Sequence, residues 1–258
     1  MKKTVIILFI FSLIFIGADR VHAKRLMELK IGTGEAKVNK LDGSAQVLPD
    51  GKKTWRTLTV RDTLRGGDEV RTGSRTRLEL IMPDYSAIRF ADNSHFKVLQ
   101  LDSGDETRPR NVKVHMAVGR SWANLSRSVV KRGQFDLSCE NAVAGVRGTI
   151  YRMNVEADKS ALVRVYDGQV SVSGGGKEDQ NRKPILGPPQ KISGPKPIPG
   201  PKKVSMEEWV YIIKAMQQIR IGGDGKAEKP REFAEQEDRD DWVDWNKSQD
   251  SELKSMTE

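Results

Sequence analysis

Alternating apolar and polar residues run through most of residues 31–172 and constrain the fold more than any other feature of the chain. Short apolar runs, such as residues 78–80 and 162–165, are separated by turns rich in Gly, Asp and Asn, about 8–12 residues apart. Because strand side chains alternate between two faces, this period predicts half-buried strands. The sequence therefore predicts an all-β domain over residues 30–173, a compact β-roll or sandwich, with a solenoid-like variant left open.

The first residues have the layout of a secretory signal peptide. Lys2 and Lys3 supply positive charge, an apolar run follows, and Val-His-Ala at residues 21–23 precedes the expected cut. We therefore expect residues 1–23 to be a signal peptide and the mature protein to be periplasmic or secreted. An uncleaved membrane anchor is the alternative, although an apolar run of about 14 residues is short for a spanning helix.

The C-terminal third differs in composition and divides into three parts. Residues 174–203 hold seven of the chain's eleven prolines, with Gly and Lys between them, which predicts a semi-rigid linker. Residues 204–222 begin with Ser205 and, three residues later, Glu208, the pattern of a helix-capping box. A predicted amphipathic helix follows, because apolar residues recur at helical spacing at Trp209, Ile212, Ile213, Met216 and Ile219.

A lone helix of this length is marginal in water, so its apolar stripe is expected to dock, either on the β domain or on a partner surface. Residues 223–258 are predicted to form an acidic, largely irregular tail that carries aromatic residues. Trp242 and Trp245 fall on one helical face within it and are the predicted docking anchors of the tail.

Charge is distributed unevenly along the chain, whose net charge is +9. Residues 24–223 carry +13, whereas residues 224–258 carry −6. A basic body with an acidic tail favours either a polyanionic partner for the body or a tail that folds back onto it. Because export separates the protein from nucleic acid, the expected partner is an envelope protein or an anionic glycan or lipid headgroup.

Residues with catalytic or metal-binding chemistry are few. The single cysteine, Cys139, excludes an internal disulfide and a Cys-rich metal site, and three histidines leave little for a histidine-built centre. The Ser94-His95 pair lacks a nucleophile elbow and a third partner. We therefore expect no cofactor, no metal and no enzymatic activity, and we expect Cys139 to be a small buried hydrophobe.

Several motifs in the β region resemble, in order, those of the FecR domain family. They are a Leu, Gly-Asp, Arg-Thr-Gly and strand pattern within residues 62–80, a turn at 83–90, a Gly-x-x-Trp segment at 119–122, a Val-Arg-Gly-Thr motif at 146–149 and a strand–Gly–strand closure at 165–172. The resemblance implies an all-β extracytoplasmic module. Family members are best known as periplasmic portions of transmembrane anti-sigma regulators, and others are stand-alone exported proteins. Only three residues precede the apolar run here, so we do not expect the sigma-binding architecture.

The resemblance also supplies candidate residues for a structural or binding motif: Arg71, Thr72, Gly73, Arg147, Gly148 and Thr149. Arg147 is either a ligand-binding fork or a structural arginine that ties carbonyls or a carboxylate such as that of Asp68. Two positions depart from the family pattern, because Tyr85 stands where glycine is usual and Ser138-Cys139 replaces a usual Thr-Pro.

The function expected from these features is an exported, non-enzymatic module of the cell envelope that binds a ligand or partner. A sensory or signalling role is one form that this function can take. The alternative is a structural or assembly protein that uses the C-terminal helix and tail as contacts.

Overall fold

The computed structural model describes residues 34–102, 110–126, 133–146, 148–174 and 209–257. The predicted signal peptide and nearly all of the predicted linker lie outside these residues. The elements in chain order are β1 (Ala36–Asp42), β2 (Ala45–Leu48), β3 (Arg56–Thr57), β4 (Thr63–Leu64), β5 (Glu69–Thr72), β6 (Arg77–Ile81), β7 (Ala87–Phe90), β8 (His95–Asp102), β9 (Arg110–Asn124), β10 (Gly133–Ser138), β11 (Ala142–Val146), β12 (Ile150–Val155), β13 (Ala161–Asp167), β14 (Gln169–Gly174), β15 (Val210–Lys214), β16 (Gln217–Ile221), β17 (Arg231–Glu232), a 3₁₀ helix (Glu235–Asp238) and α1 (Asp241–Thr257).

The strands form two sheets that share the long strand β9. Sheet A has the order β4-β1-β6-β7-β9-β12-β13-β16-β17. Sheet B has the order β3-β2-β5-β8-β9-β10-β11-β14-β15. Adjacent strands run antiparallel, except that β10 pairs with β9 in parallel. This open, two-layer arrangement confirms the predicted all-β class.

Gly119 marks the point at which β9 passes from one sheet to the other. Residues up to Val118 pair in sheet B, and residues from Gly119 onward pair in sheet A. The φ angle of Gly119 is +123°, which side-chain-bearing residues rarely adopt. A Cβ atom at this position would also lie 2.2 Å from the Oγ atom of Ser94. Both the backbone conformation and the close approach therefore require glycine.

The inner faces of the two sheets enclose one apolar core. Phe90 of sheet A stacks on Phe96 of sheet B, with ring centroids 3.6 Å apart. Alternate residues of the strands, including Val163 and Val172, are completely buried there, as the period of two in the sequence predicts. Cys139 is also buried, and burial raises the pKa of its thiol. Its predicted role as a small hydrophobe is confirmed.

The turn between β6 and β7 shows how the chain accommodates Tyr85 in place of glycine. Tyr85 adopts the left-handed conformation, with φ of +60°, and its side chain extends into solvent. The flanking residues fix the turn, because the Ser86 amide donates a hydrogen bond to Asp84 Oδ1 at 3.0 Å. The turn thus keeps a conformation that glycine adopts at lower cost.

The predicted helix over residues 204–222 is wrong. Within the described part of that range, β15 extends sheet B beside β14, and β16 extends sheet A beside β13. The range is rich in β-branched residues, which favour strands, and each sheet offers an edge for pairing. The two-residue turn between the strands contains no Gly, Pro, Asn or Asp, and Met216 adopts a φ of +62° within it. Because no turn residue interrupts the apolar spacing, the sequence imitates a helix.

The predicted docking stripe is divided between the core and the surface. Ile213 and Ile219 are buried in the core, whereas the side chain of Ile212 points outward and is 51% exposed. Trp209 and Met216 are half-buried, and Trp209 Nε1 donates a hydrogen bond to the Gly225 carbonyl at 3.2 Å. The segment docks on the β domain, but as strands of its sheets.

The Pro-rich residues leave and re-enter the fold at neighbouring points. Ser173 of β14 pairs with Val210 of β15, and the Gly174 amide donates to the Trp209 carbonyl at 3.3 Å. Residues 175–208 are therefore an excursion from the β14–β15 hairpin. This corrects the predicted organisation, in which residues 174–203 link the β domain to a separate helix.

The tail, predicted to be largely irregular, contains the 3₁₀ helix and α1. Asp240 caps α1, because its Oδ1 atom accepts a hydrogen bond from the Val243 amide at 2.8 Å. Trp242 and Trp245 stack on one another with ring centroids 5.4 Å apart, so their predicted shared helical face is confirmed. The fold thus has a C-terminal helix, but the helix lies in the tail.

Burial of Ile213 generates a stability prediction with a neighbouring control. Ile213→Asp places an unpaired charge in the core and should lower the free energy of unfolding by about 2–4 kcal/mol. Ile212→Asp makes the same chemical change on the exposed face of β15 and should cost less than about 1 kcal/mol. Denaturant unfolding of both variants measures the difference. Equal losses would contradict the strand assignment of this segment.

Candidate functional site

A single row of outward-facing side chains crosses sheet A and forms the candidate site. Its members occupy directly paired positions on neighbouring strands, so each lies beside the next. We call it the arginine row; from β1 to β16 it comprises Lys40, Glu79, Arg89, Trp122, Arg152, Arg164 and Gln218. The row is charged, yet most of its central members are buried. Something must therefore cover it.

The cover is the C-terminal segment, residues 233–257, which contains the 3₁₀ helix and α1. Asp250 of α1 accepts hydrogen bonds from Arg89 Nη1 at 2.6 Å and from Trp122 Nε1 at 2.9 Å. Arg89 also donates through Nε to Glu79 Oε2 at 2.6 Å. Since the Arg89 side chain is completely buried, its charge depends on these two carboxylates.

A second carboxylate of the segment, Asp238, binds the other half of the row. Arg152 and Arg164 both donate to Asp238 Oδ1, and the hydroxyl of Tyr166 donates to Oδ2. Arg152 and Arg164 stand directly opposite one another on β12 and β13, where two like charges repel. Asp238 is itself 4% exposed, so it compensates this repulsion in a place that little water reaches.

Aromatic side chains fill the space between the two carboxylates. Trp242 and Val243 of α1 are buried against Trp122 and Ala91 of sheet A. Tyr166 packs on Trp122 with ring centroids 4.5 Å apart, and Phe233, at the start of the segment, meets Tyr166 edge-on at 5.6 Å. The segment is thus held by apolar burial as well as by charge.

Ion pairs at the rim complete the docking. Glu252 pairs with Lys40 at 2.8 Å, and Asp240 pairs with Arg120 at 3.4 Å. These pairs are partly exposed and contribute little to stability on their own. With the buried carboxylates, however, they show that the acidic tail folds back onto the basic body, which is one of the two alternatives that the charge distribution predicts.

The cover leaves several buried polar atoms without hydrogen bonds. Arg89 Nη2, Arg152 Nε, Trp242 Nε1 and Asn246 Oδ1 have no partner among the described residues. Buried polar groups in native proteins are nearly always hydrogen-bonded, and an unmade bond costs about 1–3 kcal/mol. The contact is therefore extensive but imperfect.

The candidate motif residues from β5 lie away from the arginine row. Arg71 is exposed on sheet B and lies over the ring of Trp55, 4.1 Å from its centroid. Thr72 is buried, donates to the Ala91 carbonyl at 2.7 Å and accepts from the Ser94 amide at 2.8 Å. Gly73 passes so close to Ser44 that a Cβ atom would lie 2.4 Å from its Oγ atom. Thr72 and Gly73 thus hold the turn, and Arg71 alone faces solvent.

The second motif is only partly described. Arg147 lies outside the described residues, so its two interpretations stay open. Gly148 has a φ of +56°, and Thr149 is buried with its carbonyl accepting a hydrogen bond from Leu125 at 3.0 Å. These contacts are structural, and the site prediction for this motif stays untested.

The Ser94-His95 pair is not arranged for catalysis. Ser94 is buried, and its Oγ atom accepts a hydrogen bond from the Arg120 amide at 3.3 Å. The His95 ring lies on the outer face of sheet B, with Nε2 2.5 Å from Glu69 Oε1. Within the described residues, no cluster of three or more His, Cys, Asp or Glu could hold a metal ion. None of the helices placed by the structure is both long and apolar enough to cross a membrane.

Sequence reasoning missed the arginine row. One signal was present, because Glu79 and Arg89 each interrupt an otherwise apolar strand. A charge at such a position indicates a buried partner. Finding the whole row, however, required the strand register, which a single sequence does not supply.

The fold and the row define a two-layer β module that presents a charged sheet face to a polypeptide segment. Residues 68–171 match the family model described as FecR protein. The chain therefore contains a FecR domain, as its motifs predict. The match includes Arg89, Arg152 and Arg164 but neither Asp238 nor Asp250.

Two crystal structures of a candidate anti-sigma factor from Parabacteroides distasonis ATCC 8503 are similar to the chain. For each, the TM-score is 0.43 and the identity 15%, over 64% of this chain and 59% of that chain. The match thus spans less than two thirds of the solved protein, and a similarity at this level carries no argument about this chain. No curated protein matches the sequence.

The buried hydroxyl of Tyr166 makes the docked segment sensitive to alkaline pH. Burial raises the pKa of Tyr166 above its ordinary value of 10.0; Arg152 and Arg164 lower it in part, and the bond to Asp238 raises it again. A raised pKa means that the folded state holds the proton more tightly, so this stabilisation is complete below about pH 10 and is lost as the pH rises further.

We therefore expect the free energy of unfolding to fall more steeply between about pH 9 and 11 in the wild type than in Tyr166→Phe. The slopes should differ by up to about 1.4 kcal/mol per pH unit. Denaturant titrations across this range measure both slopes. Because burial also raises the pKa of Tyr151, the comparison between the two proteins isolates Tyr166. Parallel curves would contradict the assignment.

Proposed function

We propose that this protein is an exported, non-enzymatic regulatory module of the cell envelope, which binds a polypeptide partner through its FecR domain. The observation that supports this proposal most is the arginine row. Within the matched region, three arginines and a tryptophan lie on one sheet face, and they bind carboxylates from a segment outside that region. Arginine and aromatic residues grouped in this way are typical of protein interfaces.

Regulation is the role that the FecR match favours. A regulatory module needs a surface whose occupancy can change, and the arginine row is such a surface because its occupant is joined to the domain by backbone rather than enclosed by it. Export rests on the signal-peptide layout of residues 1–23. The proposal is therefore that the row acts in the periplasm or outside the cell.

The structural or assembly alternative has less support. It requires the helix and the tail to serve as outward contacts. Instead, Ile213, Ile219, Trp242 and Val243 are buried within the chain. Their apolar surface is already used.

Capture from the native envelope tests the proposed function. A tagged full-length chain should co-purify with one envelope protein in comparable amount, and the purified chain should begin at Lys24. Arg152→Ala combined with Arg164→Ala removes half of the row and should abolish co-purification. The control, Arg220→Ala combined with Lys229→Ala, removes the same charge at exposed positions and should retain the partner. An intact Met1, or a partner retained equally by both variants, would contradict the proposal.

Binding of an anionic glycan or lipid headgroup is a second candidate, and sheet B provides the observation that favours it. The tail neutralises sheet A, whereas Arg71, Lys97 and Lys113 remain exposed on neighbouring strands of sheet B. The Trp55 ring beneath Arg71 adds an apolar face to this basic patch. A sugar ring with acidic substituents fits such a combination of stacking and charge.

The basic patch predicts salt-sensitive binding. Wild-type protein should bind heparin but not dextran, and its affinity for heparin should fall on the order of tenfold or more between about 50 and 200 mM salt. Neutralising Arg71, Lys97 and Lys113 to Gln should remove the binding, whereas neutralising Arg220, Lys226 and Lys229 should leave it. Calorimetry measures all three proteins. Equal binding of both polymers, or no salt dependence, would reject this candidate.

A further inference from the structure

The C-terminal segment follows the arginine row in register. Glu252 lies at Lys40, Asp250 at Arg89 and Trp122, and Asp238 at Arg152 and Arg164, so the acids meet the row in order from β1 to β13. The acids at these positions alternate with apolar and aromatic side chains of the segment. The row thus recognises a pattern along a chain, not a single charge.

We propose that the arginine row is a docking surface for an acidic, aromatic polypeptide segment of a partner protein, and that residues 233–257 are its intramolecular occupant. This inference rests on the proposed function and names the chemistry of the partner. Occupation by the chain's own segment then inhibits partner binding until the segment is displaced.

The atoms that the occupant leaves unpaired define what a partner can add. Arg89 Nη2 and Arg152 Nε are buried donors without acceptors among the described residues. A partner whose carboxylates engage these arginines in bidentate fashion supplies the missing acceptors, and two parallel bonds are stronger than one. A partner segment with two carboxylates, an aromatic residue between them and further acceptor groups would therefore bind better than the segment in place.

Displacement is physically reasonable because it exposes the charges instead of stranding them. When the segment leaves, water reaches Arg152, Arg164 and Asp238, and their regained hydration offsets much of the lost attraction. Glu79 stays beside Arg89 on the neighbouring strand. The FecR core lies on the other face of sheet A and keeps its own apolar packing.

A labelled peptide of residues 233–257 tests the inference with the full-length chain. The apparent affinity of a surface falls with the fraction of molecules in which that surface is open. The peptide should therefore bind the wild-type chain weakly, and at least about tenfold more tightly a chain carrying Asp238→Asn and Asp250→Asn. Fluorescence anisotropy measures both affinities.

Matched variants identify the recognised groups. A peptide with Asp238→Asn and Asp250→Asn should lose binding, whereas one with Glu237→Gln and Asp244→Asn, which loses the same charge at exposed positions, should retain it. Adding Arg152→Ala and Arg164→Ala to the weakened chain should abolish binding of the unmodified peptide. Should the doubly substituted chain fold poorly, Asp250→Asn alone provides a milder test, with circular dichroism as the check on folding.

Two results would overturn the inference: equal peptide affinity for the wild-type and weakened chains, or equal binding of the two substituted peptides. A dimer formed by the weakened chain would identify a second copy's segment as the occupant and overturn the choice of a different partner protein. Because the assay uses only purified components, its failure is distinct from a failure to capture an envelope partner, which bears on the proposed function itself.

Discussion

The passage of β9 through Gly119 is the constraint on which the rest of the structure depends. One strand supplies hydrogen bonds to both sheets, so the two layers are fixed relative to one another by a continuous backbone. The conformation of Gly119 and the closeness of Ser94 leave no room for a side chain at the crossing. Three residues later, Trp122 lies on the outer face of sheet A, at the centre of the arginine row. The same bend that closes the core therefore positions the candidate site.

The arginine row is a demand for negative charge that the FecR domain does not meet alone. Arg152 and Arg164 oppose one another across two strands, and only Glu79 among the paired residues of the row is acidic. In water the repulsion is screened, but beneath a cover it must be compensated. Asp238 and Asp250 provide that compensation from beyond the matched region. The acidic tail is thus the chemical complement of the domain.

Local patterns were enough to predict the strands, the FecR motifs and the burial of Cys139, because each depends on alternation or on a short motif. They failed at β15 and β16, where Ile213 and Ile219 satisfy helical and strand spacing alike and Met216 forms a turn without a turn residue. The row was invisible for another reason. Arg89 and Asp250 are distant in sequence, and only strand register and docking bring them within 2.6 Å.

The attachment of the C-terminal segment sets what a competitor must achieve. Phe233 follows β17 directly, is buried beside Tyr166 and lies 5.2 Å from the guanidinium of Arg164, so the segment is tethered at one end of the row. A tethered group has an effective concentration on the order of millimolar, and a free partner at lower concentration must bind correspondingly more tightly. Extra affinity has a source, since Arg89 Nη2 and Arg152 Nε await acceptors. An imperfect tethered occupant therefore excludes weak acidic peptides while leaving the row open to a segment that satisfies every donor.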